Sequence, residues 1–308
     1  MCNAKWEFKR WIMLPSTIVQ CRYGVGSSTE EGVPSAMKLR ILIFFSYLLT
    51  LSHAEDCRCG VPSLSRRIIN GRPSQPFAYP WVVFVEKKSG FTSGSCTGSV
   101  VSPNFVMTAA HCVPDDFNPR VMTVYTWQGC GKASIYSGPS YKVRTIFRNP
   151  NFKWKMGDGY DVALLQLTRP IGPKEEVMPI CLTERTAGFE DHIVAGWGMQ
   201  SNGWYKVESE CLNEAHIGVI SGQECKRIWT DAVLDRVMCA GGETGVCQGD
   251  SGGPLMGRQH GLMFQVGISS HTRNDCGIAT RTPGVFERVY HHVDWIKKVT
   301  GEDGVCVK

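Results

Sequence analysis

Nothing in this sequence is apolar over a length that would cross a bilayer. The most apolar stretch, Ile41–Leu51, falls well short of the roughly 20 residues a helix needs to span a hydrocarbon core of about 30 Å. Charge of one sign is also missing: 33 Lys+Arg stand against 28 Asp+Glu, and charged residues make up only 20 % of the chain. A protein that binds nucleic acid by bulk charge is thereby excluded. With 43 % hydrophobic residues the chain is not disordered either. It has no internal repeat and no low-complexity linker, which excludes a solenoid or a collagen-like fibre. No Asn-X-Ser/Thr triplet occurs, so N-glycosylation is not expected.

What the chain does have is cysteine, 14 of them, which points to an oxidising compartment if they pair. The N-terminal region agrees. Met37-Lys38-Leu39-Arg40 opens a basic start, the short apolar stretch follows, and Ser52-His53-Ala54 supplies small residues for cleavage. Residues 37–54 therefore read as a signal peptide and not a membrane anchor. Residues 1–36 in front of it are expected to be a spurious upstream extension, with Met37 the true start; the other reading is the cytoplasmic tail of a membrane-anchored protein. Without 1–54, Cys2 and Cys21 go and an even number of cysteines remains, as a set of disulfides requires.

Residues 55–67 form a short polar segment holding Cys57 and Cys59 and ending in Arg66-Arg67. A basic pair directly before Ile68-Ile69-Asn70-Gly71 makes a plausible cleavage site, with Ile68 a new N-terminus. From residue 68 to 308 the length suits one all-β domain. Short β-branched and aromatic runs separated by Gly, Pro, Asn and Ser predict strands at Val82–Val85, Gly98–Val101, Phe105–Thr108, Val121–Trp127, Val162–Leu167, Ile193–Trp197, Met263–Ile268 and Gly284–Val289. The clearest helical period is at the end, where Val289, Val293, Ile296 and Val299 share a face. Many strands and few helices argue for a β-barrel or sandwich.

Three places carry chemistry. In Cys247-Gln248-Gly249-Asp250-Ser251-Gly252-Gly253-Pro254, a serine among glycines suits a tight turn that exposes a hydroxyl and gathers backbone N–H groups toward an oxyanion; an ordinary glycine-rich hairpin is the plainer reading. In Val106-Met107-Thr108-Ala109-Ala110-His111-Cys112, a histidine following an apolar strand could take the proton a serine must lose; taken alone it is equally a surface histidine. In Tyr160-Asp161-Val162-Ala163-Leu164-Leu165-Gln166-Leu167, an aspartate at the mouth of an apolar strand is costly to bury unless something donates to it, and an imidazole N–H would. Asp158 is its rival for that place.

Together with Ile68-Ile69-Asn70-Gly71 and Gly196-Trp197-Gly198, these motifs in this order resemble the chymotrypsin-like family of secreted serine endopeptidases, over essentially all of 68–308. The resemblance implies two six-stranded antiparallel β-barrels side by side with a C-terminal helix. It implies His111 as general base, Asp161 as its orienter, Ser251 as nucleophile, and Gly249 with Ser251 as oxyanion hole. It implies activation by cleavage after Arg67, whereupon the Ile68 amine pairs with the Asp250 carboxylate, which would be costly to bury alone. Disulfides Cys96–Cys112, Cys225–Cys239 and Cys247–Cys276 follow from the same likeness, with Cys181 paired to Cys57 or Cys59 so that 55–67 stays tethered. Cys130, Cys211 and Cys306 lie outside the family's usual pattern; Cys130–Cys211 and Cys57–Cys306 are the pairings expected, though spacing does not settle them. The family's pair from the Gly-Trp-Gly region to a strand before the nucleophile has no counterpart here.

Specificity is where the chain departs from trypsin. Gly245 stands where trypsin-like members carry an aspartate, so an Arg or Lys side chain would be buried unpaired. Val246, Ser270 and Thr272 with Gly284 form the expected specificity pocket, in which Val246 and Thr272 narrow the slot toward small or medium aliphatic residues, elastase-like. A chymotrypsin-like preference for large apolar residues is the runner-up, and a catalytically silent homologue acting as a binding protein is the alternative of another class. No cofactor or metal is called for: between Asp116 and Asp158 there is no carboxylate for the family's calcium loop. That same 120–155 stretch is basic, and could receive an acidic or sulfated-glycan ligand or simply be solvated. The other partners expected are protein and peptide substrates, an activating trypsin-like protease and protein protease inhibitors, with no nucleic acid and no membrane anchor, in a secreted, extracellular protein.

Overall fold

The computed structural model describes residues 57–62, 72–116, 118–154, 158–172, 176–185, 187–201, 206–207, 209–230, 235–242, 244–272, 282–301 and 304–308. The expected upstream extension 1–36, the expected signal peptide 37–54, the Arg67-Ile68 junction and Cys276 lie outside the described residues. Strands dominate. Arg72–Pro73 (β1) leads to Val82–Ser89 (β2), Thr92–Ser102 (β3), Phe105–Thr108 (β4), Met122–Tyr125 (β5), Ser140–Arg148 (β6) and Ala163–Leu167 (β7). There follow Cys181–Leu182 (β8), Glu190–Gly196 (β9), Gln200–Ser201 (β10), Lys206–Val207 (β11), Asn213–His216 (β12), Gly218–Val219 (β13), Val237–Gly241 (β14), Pro254–Gln259 (β15), Leu262–His271 (β16) and Gly284–Arg288 (β17).

Strands β2 to β7 close a six-stranded barrel in the order β2-β3-β4-β7-β6-β5. Closure leaves no free edge, and two of the runs that build it are buried on both faces: Val82 to Val85 and Phe105 to Met107 are all buried. Strand β6 alternates, with Tyr141 and Val143 inward and Ser140, Lys142 and Arg144 outward, the two-residue period of a half-buried strand.

The second sheet departs from the expected six closed strands. Its path runs β1-β12-β9-β15-β16-β17-β14-β13, with β8 added in parallel on β16, and it is curled but nearly rather than fully closed. Its two ends are the two-residue strands β1 and β13, which are not paired with each other. The barrels are pinned to one another by polar contacts inside the core. Trp81 donates its indole N–H to Met256 Sδ (3.1 Å), and Ser99 donates to Gln265 Oε1 (2.6 Å). Short helices Lys132–Ser137 (α1) and Gly222–Ile228 (α2) decorate the barrels. At the C-terminus a 3₁₀ turn, Val289–His292, runs into Val293–Thr300 (α3), which buries Val293, Ile296 and Thr300.

Five disulfides join Cys57–Cys306, Cys59–Cys181, Cys96–Cys112, Cys130–Cys211 and Cys225–Cys239, and Cys247 is disulfide-bonded as well.

Candidate active site

His111 sits in a 3₁₀ turn, Ala110–Cys112, at the end of β4. Strand β4 is fully buried, so its exit point is fixed, and the Cys96–Cys112 disulfide ties the turn to β3. Asp161 precedes β7, the strand paired with β4, so both residues emerge at the same end of the first barrel. There they join twice. The His111 backbone N–H donates to Asp161 Oδ1 (2.9 Å), and its ring Nδ1 lies 2.7 Å from Oδ2. Asp158, the rival, instead faces Arg236 at 4.0 Å.

Burial by itself would raise the Asp161 carboxyl, but the hydrogen bonds and charge of His111, together with the Ser270 hydroxyl, outweigh it and hold the group below its ordinary value. Ser270 Oγ donates to Asp161 Oδ2 at 2.5 Å. A residue first read as part of a specificity pocket thus serves the aspartate from β16 of the second barrel. Since Asp161 accepts from Nδ1, the imidazole carries its proton there and leaves Nε2 as a base.

Ser251 comes from the loop before β15 and lies between the barrels. Its carbonyl accepts from Thr97 N of β3 (2.9 Å), while Gly252 N donates to Ser269 O of β16 (2.7 Å). Gly249 and Gly252 adopt φ of 100° and 81°, conformations that glycine enters without the cost a side chain incurs. A Cβ on Gly252 would run into Thr108 Oγ1, Thr97 O and Ala109 N. The Gly249 carbonyl is tied by Thr97 Oγ1 (2.9 Å). Among the described residues, the N–H groups of Gly249 and Ser251 make no hydrogen bond, so both are free to donate to an oxyanion. No hydrogen bond joins Ser251 Oγ to His111 Nε2, which lies 3.9 Å from the Cys112 sulfur; such links are commonly loose before substrate binds.

Asp250 turns inward. Its Oδ1 accepts from Gly198 N (2.8 Å) and its Oδ2 from Cys247 N (2.9 Å). No cation faces it among the described residues, and burial pushes its carboxyl up to about 6 against these two hydrogen bonds. Gly196 and Gly198 are open because the carboxylate occupies the space a Cβ would need. Beside Asp250 lies a cavity of about 370 Å³ that Thr244, Gly245, Val246 and Ser269 also line.

The five expected pocket residues do not share that cavity. Gly245 and Val246 face it, with Val246 Cγ2 only 2.8 Å from where a Gly284 Cβ would be. Ser270 is on Asp161, and the Thr272 hydroxyl is buried without a partner among the described residues. His271 packs edge-on against Trp229, with ring centroids 5.0 Å apart, a support that sequence reasoning missed because Trp229 is distant along the chain. Among the described residues, the two clusters of metal-ligating types both consist largely of cysteines already in disulfides.

A family model described as Trypsin matches residues 68–296. Phenoloxidase-activating factor 3 of Holotrichia diomphalia is 32 % identical to this chain over 269 residues, which cover 79 % of this chain and 75 % of that protein.

Proposed function

The chain belongs to the trypsin family of serine proteases, and from that premise we propose that it is a secreted endopeptidase made as an inactive precursor. The observation that carries the reading is the doubly hydrogen-bonded His111–Asp161 pair facing the Gly249–Gly252 loop. His111 Nε2 takes the Ser251 proton as Oγ attacks a peptide carbonyl, and Asp161 holds the ring's tautomer and stabilises the imidazolium that forms. The N–H groups of Gly249 and Ser251 receive the oxyanion. His111 then passes its proton to the leaving amine, an acyl-enzyme remains on Ser251, and water repeats the cycle to release it.

Precursor status is supported by Asp250, a buried carboxylate whose only donors among the described residues are neutral N–H groups. Cleavage after Arg67 by a trypsin-like protease would free the Ile68 amine to enter the adjoining cavity and pair with it. Glycine at position 245 and the bulk of Val246 support an elastase-like preference for small or medium apolar residues over large ones. Secretion is supported by the leader expected at 37–54 and by the disulfides. The relative's name speaks of activating phenoloxidase; by that likeness the substrate here is a protein.

A fluorophosphonate probe tests the chemistry: it should label Ser251 after trypsin treatment and not before, and a cleaved protein that stays unlabelled would overturn the reading. Peptide-library cleavage then tests specificity, with Ala or Val expected before the scissile bond. Phe or Leu there would establish the runner-up.

A further inference from the structure

Two buried titratable groups next to the site have no part in the chemistry above. Glu287 on β17 and His292 in the 3₁₀ turn before α3 have side chains 2 % and 1 % exposed, and His292 Nε2 lies 3.3 Å from Glu287 Oε2. The Glu287 carboxyl also accepts the backbone N–H groups of Tyr160 and Asp161. We infer that Glu287, steadied by His292, is a positioning residue that locks the turn from which Asp161 reaches His111. The inference rests on the proteolytic reading of His111, Asp161 and Ser251.

The turn needs such a lock. Gly159 and Tyr160 both adopt left-handed φ values, 90° and 70°, the second unusual for a residue with a side chain. Val162 N closes back on Tyr160 O at 2.8 Å, so Asp161 sits at the apex of a three-residue turn. Backbone in this state persists only where its surroundings over-determine it. Here they do so from the second barrel. The Arg236 guanidinium covers the Tyr160 ring at 4.8 Å and donates to Asp158 O (2.6 Å). The rings of His291 and His292 approach Tyr160 at 5.8 and 6.0 Å. Glu287 then takes the two N–H groups that the turn leaves without a strand partner, so the aspartate is aimed by the barrel that carries the nucleophile.

Charge is consistent with this part. The groups facing Glu287 are Asp161, His292 and Arg236, with Tyr160 and His291 behind them. Burial first, and then the Asp161 charge, push the Glu287 carboxyl up to about 8; burial pushes His292 down to about 4. Both are neutral at pH 7. A protonated Glu287 donates its O–H to His292 Nε2 and keeps its other oxygen for the two backbone donors. Asp161 remains the lone anion of the cluster, as an imidazolium partner requires.

Glutamine reproduces this pattern, with an amide oxygen for the N–H groups and an amide N–H for His292. Methionine fills the same volume and accepts nothing. In the trypsin-activated full chain, with active sites titrated so that folded enzyme alone is counted, Glu287→Gln should keep kcat within about 3-fold of wild type. Glu287→Met should lower kcat by about 10- to 100-fold with KM nearly unchanged, the cost of misplacing a catalytic group by a fraction of an ångström. A Glu287→Met enzyme with wild-type kcat, or a glutamine variant as impaired as the methionine one, would overturn the inference. Should Glu287→Met fail to fold, hydrogen exchange on the uncleaved wild type and Glu287→Gln decides instead: the Tyr160 and Asp161 amides should be slow in both, and rapid exchange in wild type would sink the idea. Wild-type protein that never labels with fluorophosphonate would count against the proteolytic reading and leave the exchange result standing.

Discussion

A carboxylate held in a protein interior by neutral donors alone is costly, and among the described residues Asp250 is such a group in the uncleaved chain. Its folded-state value, about 6, lies above the 3.8 of a free aspartate, so the fold favours the protonated form. Below pH 4 both states are protonated and there is no penalty. Between pH 4 and 6 the unfolded chain ionises first and stability falls; above pH 6 the whole penalty is present. Asp250→Asn should therefore gain up to about 3 kcal/mol of precursor stability relative to the native chain between pH 4 and pH 7.5, over a pH-independent cost for the one backbone N–H that an amide nitrogen cannot accept. Thermal denaturation at the two pH values checks it. A gap equal at both would show that Asp250 is neutralised already. The meeting of His111 with Asp161 was legible along the chain, because a carboxylate at the mouth of an apolar strand needs a donor and an imidazole N–H supplies one. The position of Ser270 was not: a serine on a strand carries no sign that its hydroxyl meets an aspartate 109 residues away.

At the scale of elements, each of the eight expected strands overlaps an observed one, four of them overrunning it by one to three residues, because β-branched runs between turn residues encode a buried strand locally while its ends are set by pairing. Strand β6 escaped notice because Lys142, Arg144 and Arg148 interrupt its apolar residues, although Tyr141 and Val143 alternate with them at the two-residue period. Its outward lysine and arginine are also the heart of the basic stretch. Arg148 is paired with Asp115, Arg144 donates to Thr168 O, and Lys142 donates to Thr123, so this face is largely engaged with the barrel itself. The disulfides act between elements. Cys57–Cys306 and Cys59–Cys181 fasten the segment before residue 68 to the C-terminus and to β8, across separations of 249 and 122 residues. After cleavage following Arg67, the two pieces should run as one species without reductant and separate when reduced. A light piece lost without reduction would contradict both bonds.

For the molecule as a whole, the site belongs to neither barrel. His111 and Asp161 come from the ends of β4 and β7, Ser251 from the loop before β15 and Ser270 from within β16, and the pinning of Trp81 on Met256 and Ser99 on Gln265 holds the two sets in register. Under the proposed function, activation by a single cut would be a property of the entire fold. Arg67→Gln should give a secreted, disulfide-bonded protein with no detectable peptide hydrolysis after trypsin treatment, measured beside activated wild type; full activity would refute the switch. The chain by itself determined its family, the all-β class and the place of eight strands, since side-chain type, motif order and local periodicity are properties of short segments. Only the tertiary structure decided which donors Asp161 receives, that the second sheet is nearly closed, and that Glu287 lies against the aspartate's turn. These depend on where distant segments meet, and burial, which sets their charge states, exists only once the barrels have packed.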